Sequence, residues 1–223
     1  MSYYPILVNL RGQKAVVVGG GKVAERKIQT LLQYAAVVHV VSRDLTGTLQ
    51  QYVEEGRITY IGDAFQETQL DGAFMVIAAT DDPELNRRVS LAAKRQNLLI
   101  NAVDQPEDCN FIVPSILQRG DLIIAVSTSG KSPALARKIR QELEATFGDE
   151  YQSLLVMMGR LRKDVLSLSL SSEENKALFL KLADSGLLTA LEKKDWDEVA
   201  AILSKAFGRA VSRDDVMDYL KAE

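Results

Sequence analysis

The chain has 223 residues, enough for one large domain or for a nucleotide-binding domain followed by a smaller one. Hydrophobic residues make up 47% of it and charged residues 26%, as in soluble globular proteins, and no apolar run reaches the roughly 18 residues of a membrane span. A single cysteine excludes an internal disulfide, and with a single histidine it leaves no zinc cluster; the net charge of −3 argues against nucleic acid as a partner.

The first patterned segment reads as a strand, a glycine turn and a helix. An apolar run at residues 15–18 leads into three glycines, and from Val23 the apolar residues recur at helical spacing. The frame Gly19-x-Gly21-x-x-Ala24 matches the dinucleotide fingerprint, in which the glycines allow a tight turn and close approach of a pyrophosphate. We therefore predict a nucleotide site here; the alternative is a glycine turn with a structural role alone.

Further strand-like and helix-like segments alternate up to about residue 101. Strands are predicted at 15–18, 37–41, 58–61, 74–78 and 98–101, with helices at 23–34, 45–55 and 83–96. This alternation predicts an α/β fold, a Rossmann-type doubly wound parallel sheet with helices on both faces. In such sheets the functional residues lie where the strands end at their carboxyl edge.

Several polar residues follow these predicted strands. Arg43 and Asp44 follow the second, where the fingerprint places an acidic residue for the ribose; the arginine hints at NADP, and the displaced aspartate leaves the choice of cofactor open. Thr80 follows the fourth, next to an aspartate doublet that is equally typical of a helix cap. Asp104 follows the fifth and is the candidate proton acceptor. The alternative is that this aspartate only forms a turn.

Other dehydrogenase chemistries lack their residues in this chain. No tyrosine has a lysine four residues later, which excludes the Tyr-x-x-x-Lys pair of short-chain dehydrogenases. The single histidine, His39, is predicted inside the second strand and not at its tip, so a histidine base or a Ser-His or Cys-His pair is not expected.

The second half of the chain has a different pattern. Strands are predicted at 111–113 and 122–126, flanking a short helical piece around residues 115–119, and a helix at 133–147 with Ser132 as its cap and Pro133 at its first position. Residues 151–223 are predicted to form amphipathic helices, two of them starting at capping boxes headed by Ser171 and Ser212. We predict a first domain at 1–112, a small α+β region at 113–147 and an all-helical unit at 148–223.

Residues 119–140 form the only basic segment, because they contain five basic residues and one acidic residue. They suit a pocket for a small polyanionic ligand, with a solvated helix face as the alternative reading. The basic residues are Arg119, Lys131, Arg137, Lys138 and Arg140.

Taken together, these motifs resemble the precorrin-2 dehydrogenase family, the siroheme-synthase module that converts precorrin-2 to sirohydrochlorin. The resemblance covers residues 5–140, with the motifs in order and at the family's spacing. It is carried by Pro5-Ile6, Leu10-Arg11, VGGGKVAERK at 18–27, IAATDD at 77–82, NAVD at 101–104, FIVPSI at 111–116 and STSGKSPALAR at 127–137.

The resemblance implies NAD as the cofactor. It places NAD contacts at Gly21, Lys22 and Val23 and at the Arg43-Asp44 pair, to which strand-end reasoning adds Gly19 and Thr80. It makes Asp104 the family's essential aspartate. NAD would accept a hydride from the tetrapyrrole while Asp104 takes a proton.

The resemblance also implies how the substrate and partners are arranged. The five basic residues become candidates for the substrate's carboxylates, and Thr128 joins them, at a position where some relatives carry a regulatory serine. Family members are dimers built through a region corresponding to 113–147, and some also insert ferrous iron, which would be a substrate here. We expect a stand-alone, cytoplasmic enzyme, because no methyltransferase domain follows and no signal peptide precedes.

Two alternatives remain open at this stage. One is a non-catalytic module that senses NAD, which gives no role to the basic segment. The other is an NAD-dependent dehydrogenase of another polyanionic small molecule.

Overall fold

The computed structural model describes residues 3–167 and 171–221. The chain forms two compact units, the first ending at Val113 and the second starting at Pro114. The predicted regions 113–147 and 148–223 both fall essentially within the second unit, and the division between them stays a prediction. None of the helices in the described ranges is long and apolar enough to cross a membrane.

The first unit contains a parallel sheet of five strands in the order β3-β2-β1-β4-β5. Its central strand β1 is buried on both faces, as the continuous apolar run predicts, and Val16 and Val17 are fully buried. The strands are β1 (Lys14–Val18), β2 (Val37–Val41), β3 (Thr59–Gly62), β4 (Met75–Ala78) and β5 (Leu99–Ala102).

Helices cover both faces of this sheet. They are α1 (Lys22–Gln33), α2 (Gly47–Glu54) and α3 (Pro83–Arg95). Ile28 of α1 and Leu49 of α2 belong to one apolar cluster, and Val89 of α3 belongs to another that packs with Val16 and Val76. Because the two clusters lie on opposite sides of the sheet, the predicted doubly wound fold is confirmed.

Every strand and helix predicted up to residue 101 is present, and their ends agree to within two residues. The largest shift is at α2, which begins at Gly47 because the Thr46 hydroxyl accepts the backbone N–H of Leu49 and so caps the helix.

The second unit begins with an antiparallel hairpin, and this corrects the sequence analysis. Strand β6 (Ser115–Arg119) lies where a helical piece was predicted, and it pairs with β7 (Leu122–Val126). Gly120, at φ +55°, permits the two-residue turn between them. The strand predicted at 111–113 is absent; this segment runs into Pro114, which lacks an N–H for a ladder.

Six helices follow in the described part of this unit. Ser132 caps α4 by accepting the Leu135 N–H, with Pro133 at the first position as predicted, and both predicted capping boxes are formed, Ser171 with Glu174 and Ser212 with Asp215. The helices are α4 (Pro133–Thr146), α5 (Glu150–Ser167), α6 (Ser172–Ala183), α7 (Leu187–Glu192), α8 (Trp196–Phe207) and α9 (Arg213–Tyr219).

Candidate functional site

The carboxyl ends of three neighbouring strands of the first unit are level with one another. Val18 of β1 is in register with Ala78 of β4, which is in register with Ala102 of β5. The segments after these residues therefore start at one edge of the sheet. Neighbouring strands lie about 4.8 Å apart, so the ends of β1 and β5 are separated by roughly 10 Å.

Two buried glycines shape the turn after β1. Gly19 has φ +123°, and a Cβ there would lie 2.2 Å from the carbonyl oxygen of Ala79. A Cβ at Gly20 would lie 2.1 Å from the carbonyl oxygen of Asp44. Packing inside the protein therefore requires glycine at both positions. Gly20 was not among the predicted site residues, although the loop after β2 packs directly against it.

Gly21 is different, because nothing in the described protein explains a glycine there. It is exposed, its φ is −80°, and a Cβ would meet no heavy atom within 4 Å. No side chain within the described ranges caps this end of α1, so the N–H groups of its first turn are available to an anion. Ala24, fully buried, lets α1 pack closely on the sheet. This cradle fits a dinucleotide's pyrophosphate.

The two other predicted cofactor residues on α1 differ in their surroundings. The ammonium of Lys22 lies 3.1 Å from the Glu25 carboxylate, although its own side chain is 77% exposed. Val23 is half-buried and packs against the core cluster beneath α1.

The loop after β2, residues 42–46, lies against the glycine turn. The Thr46 N–H donates to the Gly20 carbonyl at 3.0 Å, and the Ser42 hydroxyl donates to the Asp44 carbonyl at 2.7 Å. Both predicted side chains on this loop, Arg43 and Asp44, are exposed. The loop is therefore held by its backbone beside the turn while these two side chains remain accessible to a ligand.

Glu25 is a site residue that the sequence analysis missed. Its buried carboxylate accepts the Thr46 hydroxyl at 2.5 Å and the Lys22 ammonium. The hydrogen bond from Thr46, followed by that from Lys22, lowers the pKa of Glu25 below its ordinary value. A signal was present, because Glu25 lies three residues before Ile28 and so on the buried face of the helix.

Thr80, after β4, is fixed by a buried asparagine. Its hydroxyl lies 2.8 Å from Asn86 Oδ1, its N–H donates to the same oxygen, and its carbonyl accepts the Asn86 amide. Asp82 caps α3 by accepting the N–H groups of Glu84 and Leu85. Of the two readings of the aspartate doublet, the cap is therefore the one that Asp82 adopts.

Asp104 lies on a tight turn directly after β5. Its backbone is left-handed, with φ +59°, and its side chain is exposed. The Val103 N–H donates to the Ala78 carbonyl at 2.9 Å, which ties this turn to the end of β4. Aspartate is one of the few residues besides glycine that tolerates this conformation. The turn-forming and catalytic readings are thus compatible.

The buried thiol of Cys109 and the side chain of Gln105 bind the backbone next to the Asp104 turn. The Cys109 thiol lies 3.2 Å from both the N–H and the carbonyl of Ala102. Burial raises the pKa of Cys109 above its ordinary value. The Gln105 amide donates to the carbonyl of Pro83 at 3.1 Å, linking the turn to the start of α3.

His39 lies in the middle of β2, in register with Val16, as predicted. Burial, followed by the nearby charge of Lys14, lowers the pKa of His39. Because His39 lies in the middle of its strand, it is away from the carboxyl edge of the sheet, where the other candidate site residues lie.

The predicted substrate-binding residues lie on the second unit and fall into two groups. Arg119 pairs with Asp149 at 3.4 Å, Lys138 with Glu142, and Arg140 with Glu144. Lys131 and Arg137 are exposed and have no acidic partner within ion-pair distance in the described ranges.

Arg137 and Arg140 lie about 60° apart around α4, whereas Lys138 is about 160° from Arg140. The five basic side chains therefore do not share one face. In the preceding loop Thr128 is half-buried, and its hydroxyl accepts the Ser132 N–H at 3.0 Å.

No group of three or more histidine, cysteine, aspartate or glutamate side chains that could hold a metal ion occurs among the residues described.

The glycine turn, the uncapped start of α1 and the level strand ends define the first unit as a Rossmann-type dinucleotide-binding domain. A family model of NAD(P)-binding domains matches residues 6–115, and a model of the central part of sirohaem biosynthesis proteins matches residues 119–146. The chain belongs to the precorrin-2 dehydrogenase and siroheme synthase family.

Individual relatives agree with this assignment. The siroheme synthase of Methylobacillus flagellatus is 45% identical over 165 residues, 74% of this chain and 35% of its own length. That of Photorhabdus laumondii is 39% identical over 191 residues, 86% of this chain and 40% of its own. The chain thus spans well under half the length of these relatives. A solved precorrin-2 dehydrogenase, SirC, superposes with a TM-score of 0.77 at 25% identity, covering 92% of this chain and 100% of that one.

Proposed function

We propose that the protein oxidises precorrin-2 to sirohydrochlorin with NAD. The observation that carries this proposal is the position of the Asp104 turn, at the same sheet edge as the glycine turn and two strands away from it. The name of the structural relative, a precorrin-2 dehydrogenase covered over its full length, supports the choice of substrate.

The chain's own residues divide the work of the reaction. The uncapped start of α1, with the open face of Gly21, binds the pyrophosphate, and Arg43 and Asp44 border the adenosine ribose. When bound, the nicotinamide ring supplies the hydride acceptor. The exposed Asp104 carboxylate takes the proton that the macrocycle releases, while Thr80, fixed by Asn86, bounds the space between the two turns.

We favour NAD over NADP on electrostatic grounds. The exposed side chain of Asp44 lies on the loop after β2, where the ribose would bind, and its charge would repel a 2′-phosphate. Arg43 is the single opposing charge on that loop. Measured affinities for the two cofactors test this preference directly.

Precorrin-2 is a reduced tetrapyrrole with many carboxylates, which basic side chains recognise as charge-assisted hydrogen-bond donors. Lys131 and Arg137 are the strongest candidates, because they are exposed and lack acidic partners in the described ranges. Arg119, Lys138 and Arg140 would have to exchange an existing carboxylate partner for the substrate.

We also propose that the active form is a homodimer built through residues 113–147. The two-stranded sheet β6–β7 is too small to be stable alone, and most of its apolar side chains are only half-buried in the single chain. Leu135 of α4 is 48% exposed. A second copy covering this region would bury these side chains. Iron insertion and a cytoplasmic location stay predictions of the sequence.

The test is an anaerobic assay of the purified chain with precorrin-2 and NAD, following sirohydrochlorin absorbance and NADH together. Stoichiometric formation of both is the expected result, and the assay repeated with ferrous iron reports siroheme formation above the rate without protein. Binding of NAD without turnover would favour a sensing module or another polyanionic substrate.

A further inference from the structure

The buried carboxylate of Glu25 connects two segments that border the glycine turn. Glu25 lies in the first turn of α1, and Thr46, which donates its hydroxyl to it at 2.5 Å, lies 21 residues away at the start of α2. The Lys22 ammonium also binds this carboxylate. A buried ionised group requires such partners, and Glu25 has them from both helices.

Three of the hydrogen bonds that Thr46 makes bear on this connection. Its backbone N–H donates to the Gly20 carbonyl, its hydroxyl donates to Glu25, and the same hydroxyl accepts the Leu49 N–H. The loop 42–46 is thus attached to the glycine turn once through a backbone bond and once through Glu25. Removing the Glu25 contact leaves the backbone bond and the packing of Gly20 against Asp44.

We propose that Glu25 is a positioning residue for the dinucleotide. By holding Thr46, it fixes the loop that carries Arg43 and Asp44 against the glycine turn, so the pyrophosphate and the adenosine ribose meet one preformed surface. This inference rests on the proposed binding of NAD and is independent of the identity of the oxidised substrate. Preorganisation of this kind raises affinity because less conformational freedom is lost on binding.

The position of Glu25 also predicts which kinetic parameter changes. Glu25 acts at the β2 side of the turn, whereas Asp104 follows β5, three strands from β2 in the order of the sheet. Loss of the Glu25 contact should therefore raise the Kd and KM for NAD and leave kcat at saturating NAD unchanged. If Glu25 served stability alone, its loss would lower the midpoint of unfolding but would not raise the KM for NAD while leaving kcat unchanged.

The experiment measures ADP and NAD binding to the full chain by isothermal titration calorimetry. ADP is the probe of the pyrophosphate and adenosine ribose half. The variants are Glu25→Gln, Thr46→Val and the double variant, with Thr46→Ser as the matched control that keeps the hydroxyl. Thr30→Val removes a hydroxyl from α1 that bonds only its own helix, to the Arg26 carbonyl, and controls for changes in that helix.

We expect Glu25→Gln and Thr46→Val each to raise the Kd of ADP about tenfold, because the first replaces the charged acceptor of the Thr46 hydroxyl by a neutral amide and the second removes the donor. NAD should weaken by the same factor. The double variant should resemble either single variant, because both substitutions act on one shared contact. Thr46→Ser and Thr30→Val should bind within about twofold of the wild type, on the same grounds.

Unchanged ADP binding in Glu25→Gln, or a roughly hundredfold loss in the double variant, would overturn the inference. If Glu25→Gln fails to fold, as judged by circular dichroism, the comparison of Thr46→Val with Thr46→Ser decides it. Wild-type protein that binds ADP and NAD but does not oxidise precorrin-2 would refute the proposed function and leave this inference standing. Wild-type protein that binds neither nucleotide would overturn both.

Discussion

Gly19 lies against the backbone of Ala79, where a Cβ would be 2.2 Å from the carbonyl oxygen. The turn that follows β1 and the turn that follows β4 are therefore in direct contact, and Gly19 also has φ +123°. Gly21, two residues later, has neither constraint. The fingerprint therefore contains one glycine required by the protein's own packing and one that only a ligand would require.

This contrast predicts opposite behaviour for two alanine variants. Gly19→Ala should lower the free energy of unfolding by about 3 kcal/mol, from the clash together with the left-handed backbone. Gly21→Ala should change it by less than about 1 kcal/mol but weaken NAD binding, and Gly21→Asp should abolish binding because a carboxylate would meet the pyrophosphate. Chemical unfolding and NAD titration measure the two effects, and unchanged NAD affinity in Gly21→Asp would show that the fingerprint is only structural.

Asp104 is predicted to be required for oxidation and not for cofactor binding. Asp104→Asn keeps the side-chain shape and tolerates φ +59°, so it should remain folded while losing the proton acceptor. We expect the rate of sirohydrochlorin formation to fall at least about a hundredfold, with the Kd for NAD within twofold. Asp104→Ala should lose as much activity and about 1 kcal/mol of stability, because alanine is strained in this conformation. Turnover like the wild type in Asp104→Asn would remove Asp104 from the mechanism.

The sequence predicted the first unit well because its signals are local. Strands β1 and β4 are continuous apolar runs, and Asp82 ends its loop with a cap that can be recognised in the sequence. Residues 115–119 were misassigned because five residues do not distinguish a helical from a strand period. Their state depends on pairing with β7 across Gly120, which is a contact outside the segment.

The candidate site was predicted in part for the same reason. The glycines and the residues after the strands follow from the fold rule, and the structure places them at one edge of the sheet. Glu25 was not predicted, because its partner Thr46 lies 21 residues away and no local pattern in the sequence indicates that contact. Likewise, the ion pairs of Lys138 and Arg140 depend on which acidic residues share their helix faces.

Cys109 is predicted to make the free energy of unfolding depend on pH in the alkaline range. Its folded-state pKa is raised by burial, so the unfolded chain loses the thiol proton first as pH rises. The contribution of the neutral thiol is fully present below the ordinary pKa of about 8.5 and is lost as pH rises through the higher folded-state pKa. Between about pH 8 and pH 10, the free energy of unfolding should fall more steeply in the wild type than in Cys109→Ala, since tyrosine and lysine titrate in both. Equal slopes would contradict this account.

Arg137 is predicted to contribute more to substrate binding than Lys138, its neighbour in sequence. Arg137 is exposed without an acidic partner in the described ranges, whereas Lys138 lies 3.9 Å from Glu142 and points about 100° away around α4. Arg137→Ala should therefore raise the KM for precorrin-2 about tenfold, as expected when a charge-assisted hydrogen bond to a carboxylate is lost.

Lys138→Ala is the matched control and should change the KM for precorrin-2 less than about twofold, because an exposed ion pair contributes little. The difference should shrink as salt is added, and NAD affinity should stay constant in both variants. Equal effects of the two substitutions would indicate that the basic segment acts through its total charge and not through a specific contact at Arg137.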